Sequence, residues 1–373
     1  MIYLDYAAHT AADKLVTEAF CGADWIGNPN SAHVAGRAAK HAIDAATAEI
    51  ATLLGAKPNE IIHTSGASEA NNTAIKGFIR AGRHTGKHII SSVLEHSSVS
   101  GVLSRLQEQG CEVELVRITS DGKIDLAHLA ELLRQDTVLV TVSAVDSELG
   151  SIQPVEEITQ LIKAYPDCRL HVDATQAIGK LAFDCAGADS VSFSAHKFYG
   201  ITGAGVLFLR ENRIIEPLIH GGASTTLYRS GTPAVALAVS TAKALSLAVN
   251  NQSARTTAVE ALARTLRGRL AGYKNVRFNS PADGVPHILN LSVAGIKGAD
   301  FQKKLDERGV CVSVKSACSA EQTPSRAVFA VSHDRKNALC SWRISLSHLT
   351  GADELEEFMI QFDQIYKELY PHA

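Results

Sequence analysis

The sequence predicts an α/β protein: a large domain built on a mostly parallel seven-stranded sheet, then a smaller α+β C-terminal domain. Three observations carry this. Strand-like and helix-like segments alternate over about 150 residues, the pattern of crossover units. The strands read as short apolar runs, as strands covered on both faces do. After about Ala234 the alternation stops and long alanine-rich helices take over.

Each element has its own reason. "GRAAKHAIDAATAEIATLL" (36–54) is rich in alanine and leucine, with charges at helical spacing. "EIIHT" is a short strand, and a helix follows from about Ser68 to Arg80. "KHIISS" is a strand, and "SVSGVLSRLQEQG" a helix stopped by its last glycine. "EVELVRI" alternates as a strand, "DLAHLAELLRQ" is a helix, and "TVLVTVSAV" is a buried strand. "PVEEITQLIKAY" opens with proline, expected in the first helical turn. "RLHVDAT", "SVSFSA" and "AGVLFLR" complete the seven strands. Beyond them, "AVALAVSTAKALSLAVN" and "AVEALARTLRGRLAG" are helices and "PHILNLSVA" a strand of an antiparallel sheet. "ADELEEFMIQFDQIYKEL" is the final helix. The expected division is 1–245 for the large domain and 246–373 for the small one, with the first ~15 residues able to pack on the small domain. No repeat or low-complexity linker separates them, so close packing is expected.

Composition narrows the function. The chain has 373 residues, 46% hydrophobic and 20% charged, enough for one large or two moderate globular domains. A net charge of −3 points to neither nucleic acid nor a membrane surface. No apolar run reaches the length of a membrane span. "MIYLDYAAHT" lacks the pattern of an export signal, so a cytoplasmic location is expected. The seven cysteines are odd in number and none has C-x-x-C spacing, so free thiols and no metal site are expected.

Ligands of open parallel sheets sit beyond the carboxyl ends of the strands. "SGASEANN" there opens a helix whose free N–H groups suit a phosphate. "VLEHSSV" brings His96, "RLHVDATQAIG" brings Asp173 and Gln176, and "FSAHKFYG" brings Ser194, His196 and Lys197. Singly these have ordinary readings: a surface lysine, a turn-capping aspartate, a plain helix start, a hydrogen-bonded histidine. Together they match what pyridoxal phosphate needs. Its aldehyde takes a lysine, its ring nitrogen a carboxylate, its phosphate N–H and hydroxyl donors, and its ring a flat group such as His96.

"YLDYAAHT", "GNPNSAH", "TSGASEANN", "LEHSSV", "HVDATQAIGK", "SFSAHKFYG", "RSGT" and "SACSAEQTPS" resemble, in family order, the NifS/IscS-like cysteine desulfurases of the class V aminotransferase superfamily. The resemblance implies a fold-type-I homodimer using pyridoxal 5'-phosphate. By it, Lys197 bonds covalently to the cofactor and Asp173 partners its ring nitrogen. Gln176 approaches the phenolic oxygen. Ala67, Ser68, Ser194 and His196 bind the phosphate, and Thr232 reaches the phosphate of the neighbouring subunit. His96 stacks on the ring, Arg343 holds the substrate carboxylate, and Asn28 joins the substrate side. Cys318 becomes the nucleophile that takes sulfur from L-cysteine, leaving alanine and a persulfide for an acceptor protein in iron–sulfur or thio-cofactor assembly. Cys168 and Cys311, beside apolar strands, read instead as inert core cysteines.

Two positions depart from the family. Ser147 stands where relatives carry an asparagine that contacts the cofactor, and a shorter side chain changes that contact. Lys315 replaces a glycine three residues before Cys318, where a cation is expected to lower the thiol's pKa. Two alternatives stay open. One is another class V enzyme, such as a selenocysteine lyase, cysteine sulfinate desulfinase or aminotransferase. The other is a partner-binding homologue with impaired chemistry.

Overall fold

The computed structural model describes residues 1–23, 26–82, 86–315 and 323–370. The chain runs β1 (Ile2–Tyr3), α1 (Lys14–Gly22), α2 (Val34–Leu53), β2 (Ile61–Thr64), α3 (Ala67–Ala81), β3 (His88–Ser92) and α4 (Ser97–Glu108). It continues β4 (Glu112–Val116), α5 (Leu126–Leu132), β5 (Thr137–Ser143), α6 (Val155–Ile162), β6 (Arg169–Asp173), β7 (Ser190–Ser194) and β8 (Gly205–Leu209). Then come α7 (Val235–Asn250), α8 (Gln252–Leu270), β9 (Val276–Phe278), β10 (Ile288–Val293), α9 (Gly298–Asp306) and β11 (Val310–Cys311). The last elements are α10 (Arg326–Ser332), α11 (Arg335–Leu339), β12 (Ser341–Ser345) and α12 (Ala352–Leu369).

The large sheet has seven strands in the order β2-β8-β7-β6-β5-β3-β4. Only β8 runs antiparallel to its neighbours. The reason is local: β7 reaches β8 through a short turn, too short for a crossover. β5, β7 and β8 are buried along their whole length. α2 and α7 cover one face through Ile43, Ile50, Ala242 and Leu245. α3 and α4 cover the other through Ile75, Phe78 and Leu103.

The later segments form a three-stranded antiparallel sheet, β12-β10-β9. Its core is aromatic: Phe301 stacks on Trp342 with centroids 5.1 Å apart and meets Phe362 at 5.2 Å. Four strands went unpredicted: β1, β9, β11 and β12. β1 pairs in parallel with β11, and Ser345 N donates to Leu4 O at 2.7 Å. α1 and α9–α11 also went unpredicted, all being nine residues or shorter. The expected proline start is corrected by one position: Pro154 caps α6, which begins at Val155. No described helix is long and apolar enough to cross a membrane.

Candidate active site

The site forms where β2, β3, β5, β6 and β7 end. Gly66, the N-cap of α3, has φ +153°, a conformation glycine tolerates best. A Cβ on the facing Gly205 would lie 2.5 Å from Gly66 Cα, so β8 approaches this turn only because residue 205 is glycine. Gly66 offers the first turn of α3 no side-chain cap. Ser194 Oγ accepts from Ala67 N at 2.7 Å. With its lone pair used, the hydroxyl keeps its proton to donate to a ligand.

His96 caps α4. Its Nδ1 accepts from Ser98 N at 3.1 Å and contacts Ser98 Oγ at 2.9 Å. Burial holds its pKa below the ordinary value, Lys197 adds to this, and Asp173 opposes it. His196, stacked on His9 with centroids 5.6 Å apart, is pushed down to about 4 by burial and then by Lys197. Both rings are therefore neutral near pH 7.

Asp173, at the end of β6, is held from behind. Oδ1 accepts from Thr175 N at 3.0 Å and Oδ2 from Asn71 Nδ2 at 2.8 Å. Asn71 Oδ1 takes His171 Nε2 at 2.9 Å and the Ser192 hydroxyl. His171 Nδ1 meets Ser190 Oγ at 2.7 Å, and burial lowers the ring to about 4. A neutral ring can donate at Nε2 and accept at Nδ1, as this chain requires. Sequence reasoning missed Asn71 and His171. A signal existed: His171 shares a strand face with Asp173 at i−2, and Asn71 lies one helical turn after Ala67.

Lys197 follows β7 on a single 3₁₀ turn. Its ammonium donates to Ala7 O at 2.8 Å and Ala8 O at 2.6 Å. Gln176 Nε2 donates to the same Ala7 O at 2.8 Å. Arg343, on β12, is 2% exposed. Nη2 donates to Asp5 Oδ1 at 2.8 Å and Nη1 to Ser147 O at 2.6 Å. Its Nε is buried and has no partner among the described residues.

One cavity of about 210 Å³ is lined by Ala67, Ser68, His96, Ser147, Asp173, Gln176, Ser194, His196, Lys197 and Arg343. The structure thus brings together ten of the expected residues. Thr232 is exposed and lies off this cavity, as does Asn28. Asn28 Oδ1 instead accepts from Asn30 N at 2.9 Å within its own turn. Cys318 lies outside the described residues. Lys315 is buried, and its ammonium donates to Thr323 O at 2.6 Å and Oγ1 at 3.0 Å. It therefore ties residue 315 to residue 323, a bond the sequence did not reveal. Cys168 is buried and its thiol pushed up to about 12, by burial first. Burial also raises the Cys311 thiol. Both shifts disfavour a thiolate.

Glu95 is enclosed beside His96. Ser92 Oγ donates to Oε1 at 2.6 Å and Ser143 Oγ to Oε2 at 2.7 Å. Burial pushes the carboxyl up from 4.5 to about 7, the hydroxyls oppose this, and Asp173 reinforces it. The folded state therefore holds the proton more tightly. Its stabilising share is full below about pH 4.5 and is lost as pH rises to about 7. Glu95→Gln should cancel that loss. Its stability relative to the parent should rise by on the order of 2 kcal/mol between about pH 5.5 and about pH 8. Urea unfolding at the two pH values measures this, and an unchanged difference would contradict it.

The family model described as aminotransferase class-V matches residues 2–358. The chain belongs to the aminotransferase class-V family. Within it, the chain is 35% identical to a NifS/IcsS protein homolog of Lactobacillus delbrueckii subsp. bulgaricus, covering 98% of this chain and 97% of the relative. It is 39% identical to the cysteine desulfurase IscS of Serratia proteamaculans, covering 95% and 90%. A solved NifS-like protein matches with TM-score 0.92 at 33% identity, over 98% of each chain. DndA from Streptomyces lividans matches with TM-score 0.78 at 33% identity, over 92% of this chain and 99% of its own. The seven-stranded sheet and the smaller antiparallel sheet are thus those of a class-V fold.

Proposed function

We propose that the chain is a pyridoxal-phosphate-dependent cysteine desulfurase that converts L-cysteine to L-alanine and carries the sulfur as a persulfide on Cys318. The observation that carries this reading is the convergence of Lys197, Asp173, His96, an uncapped helix N-terminus and Arg343 on one cavity. The acceptor would be a protein of iron–sulfur or thio-cofactor assembly, the working unit a homodimer, and the location cytoplasmic. The domain division near residue 245 is likewise proposed. Ala248 still packs in the large core, which favours a boundary at the α7–α8 junction.

The residues fit the cofactor. Thr175 Oγ1 and Arg343 Nε are buried at this cavity without partners among the described residues, which suits a ligand rich in oxygen. The N–H groups of α3, with the Ser194 hydroxyl, suit its phosphate. Ser68 and His196 line the same end, and the exposed Thr232 would serve the partner subunit.

When bound, pyridoxal phosphate supplies a sink for the electron pair freed at the substrate Cα. Asp173 holds the proton on the ring nitrogen; a charge-assisted hydrogen bond of this kind is worth roughly 1.5–3 kcal/mol. Arg343 binds the substrate carboxylate through its open Nε. The amine of Lys197 moves the Cα proton. The neutral His96 ring covers the cofactor face. The Cys318 thiolate attacks the substrate sulfur, the C–S bond breaks, and protonation at Cβ completes alanine.

The deciding test is release of alanine and sulfide from L-cysteine with added reductant, in the parent and in Cys318→Ser. Turnover that survives the loss of Cys318 unchanged would refute the persulfide. The loaded protein should absorb at about 410–430 nm, and borohydride followed by peptide mapping should place the label on Lys197. A label on another lysine would contradict the assignment. Sedimentation should give a dimer, and a fully active monomer would leave Thr232 without its role.

A further inference from the structure

Gln176 sits between the site cavity and Lys180. Lys180 Nζ donates to Gln176 Oε1 at 2.9 Å. As an ammonium Lys180 cannot accept, so in that form it calls for oxygen at this end of the amide. Gln176 Nε2 donates to Ala7 O at 2.8 Å, and a carbonyl cannot donate. Both neighbours therefore select one amide orientation. Gln176 is 5% exposed, so bulk water offers no alternative partner. Ala7 uses one of two amide hydrogens, and the other is left for a ligand oxygen.

Lys180 does not line the site cavity. It borders a small separate one of about 40 Å³, with Tyr199, Arg255, His287, Ser347 and His348. Its place is fixed by Gly179, at φ +74°, where a Cβ would meet Ala248 Cβ at 2.7 Å. Among the described residues no carboxylate lies within ion-pair distance of Lys180. Its surroundings are cationic or neutral. Burial first, then Lys197 and Arg343, push Lys180 down to about 7, Arg255 borders it, and burial pushes His287 and His348 down. The neutral amide oxygen of Gln176 is thus the acceptor Lys180 has found.

We propose that Lys180 is a positioning residue for Gln176, fixing its amide so that the NH₂ end faces the site as a donor. A donor at that point favours negative charge on a ligand oxygen; a flipped amide would repel it. The proposal rests on the cofactor reading, with the pyridoxal ring oxygen as that ligand.

The test is the visible absorption of the pyridoxal-phosphate-loaded protein, titrated with pH. Donors to the ring oxygen favour the proton-poor form and lower the midpoint. Lys180→Met and Gln176→Ala should each raise the midpoint, by about one pH unit, roughly a tenfold change in proton affinity. Lys180→Met placed in the Gln176→Ala background should add nothing. Lys180→Arg, which keeps a donor, should restore the parent midpoint. An unmoved midpoint in Lys180→Met would overturn the proposal. So would a shift that persists in full without Gln176, since the charge would then act directly. Should Lys180→Met fail to fold, Lys180→Leu against Lys180→Arg carries the same comparison. A protein with no visible band would refute the cofactor reading itself, whereas a normal band with an unmoved midpoint refutes only the role of Lys180.

Discussion

Lys197→Ala should leave a protein that binds pyridoxal phosphate but turns over L-cysteine at least about a thousandfold more slowly, within the range general acid–base groups supply. Lys197 stands on a single turn after β7, with its ammonium held by two carbonyls. Those carbonyls orient the amine without neutralising it. Among the described residues no other lysine lines the cavity. Lys180, the nearest alternative by sequence, is turned away onto Gln176. Single-turnover formation of alanine measures the loss. A small added amine should restore part of the rate if proton transfer is what was removed. Unchanged turnover would contradict both the covalent and the proton-transfer roles.

Asp173→Asn should lower kcat by roughly a hundredfold, about 2.7 kcal/mol, with a smaller loss of cofactor affinity. The carboxylate stabilises charge that grows toward the transition state, so rate suffers more than binding. Asn71 and Thr175 N fix both oxygens, so the substituted amide cannot satisfy both partners as the carboxylate does. Cofactor affinity by fluorescence and kcat by alanine release separate the two effects. A fall in kcat below about tenfold would remove Asp173 from its electron-sink role.

Strands such as β5 and β8 were legible because burial on both faces leaves apolar runs, and the edge strand β4 because it alternates. The site was legible where its residues fall at the ends of those runs, as Asp173 and Lys197 do. What stayed hidden lies in long-range bonds. β1 and β11 are two residues each and carry no periodicity. Nothing in "LDYAAH" says that Ala7 and Ala8 offer carbonyls to Lys197, about 190 residues on, or that Asp5 will pair with Arg343. The bond of Lys315 stayed hidden because its partner, Thr323, lies beyond the unpatterned stretch holding Cys318. The bond of Asn28 is local instead, to Asn30 N two residues on.

The segment 2–8 has a consequence for how the protein is made. It pairs with Val310–Cys311, bonds to Ser345 and places Asp5 on Arg343, 338 residues away. Ala7 and Ala8 can meet Gln176 and Lys197 once those emerge, but Ile2–Asp5 must wait for partners from residue 309 on. The seven-stranded sheet can form before that, since its strands end at Leu209. Arg343 cannot be seated on Asp5 until it has itself emerged, well after Lys197. A chain cut before Arg343 would therefore carry Lys197 without it, and the cavity they share would lack one wall.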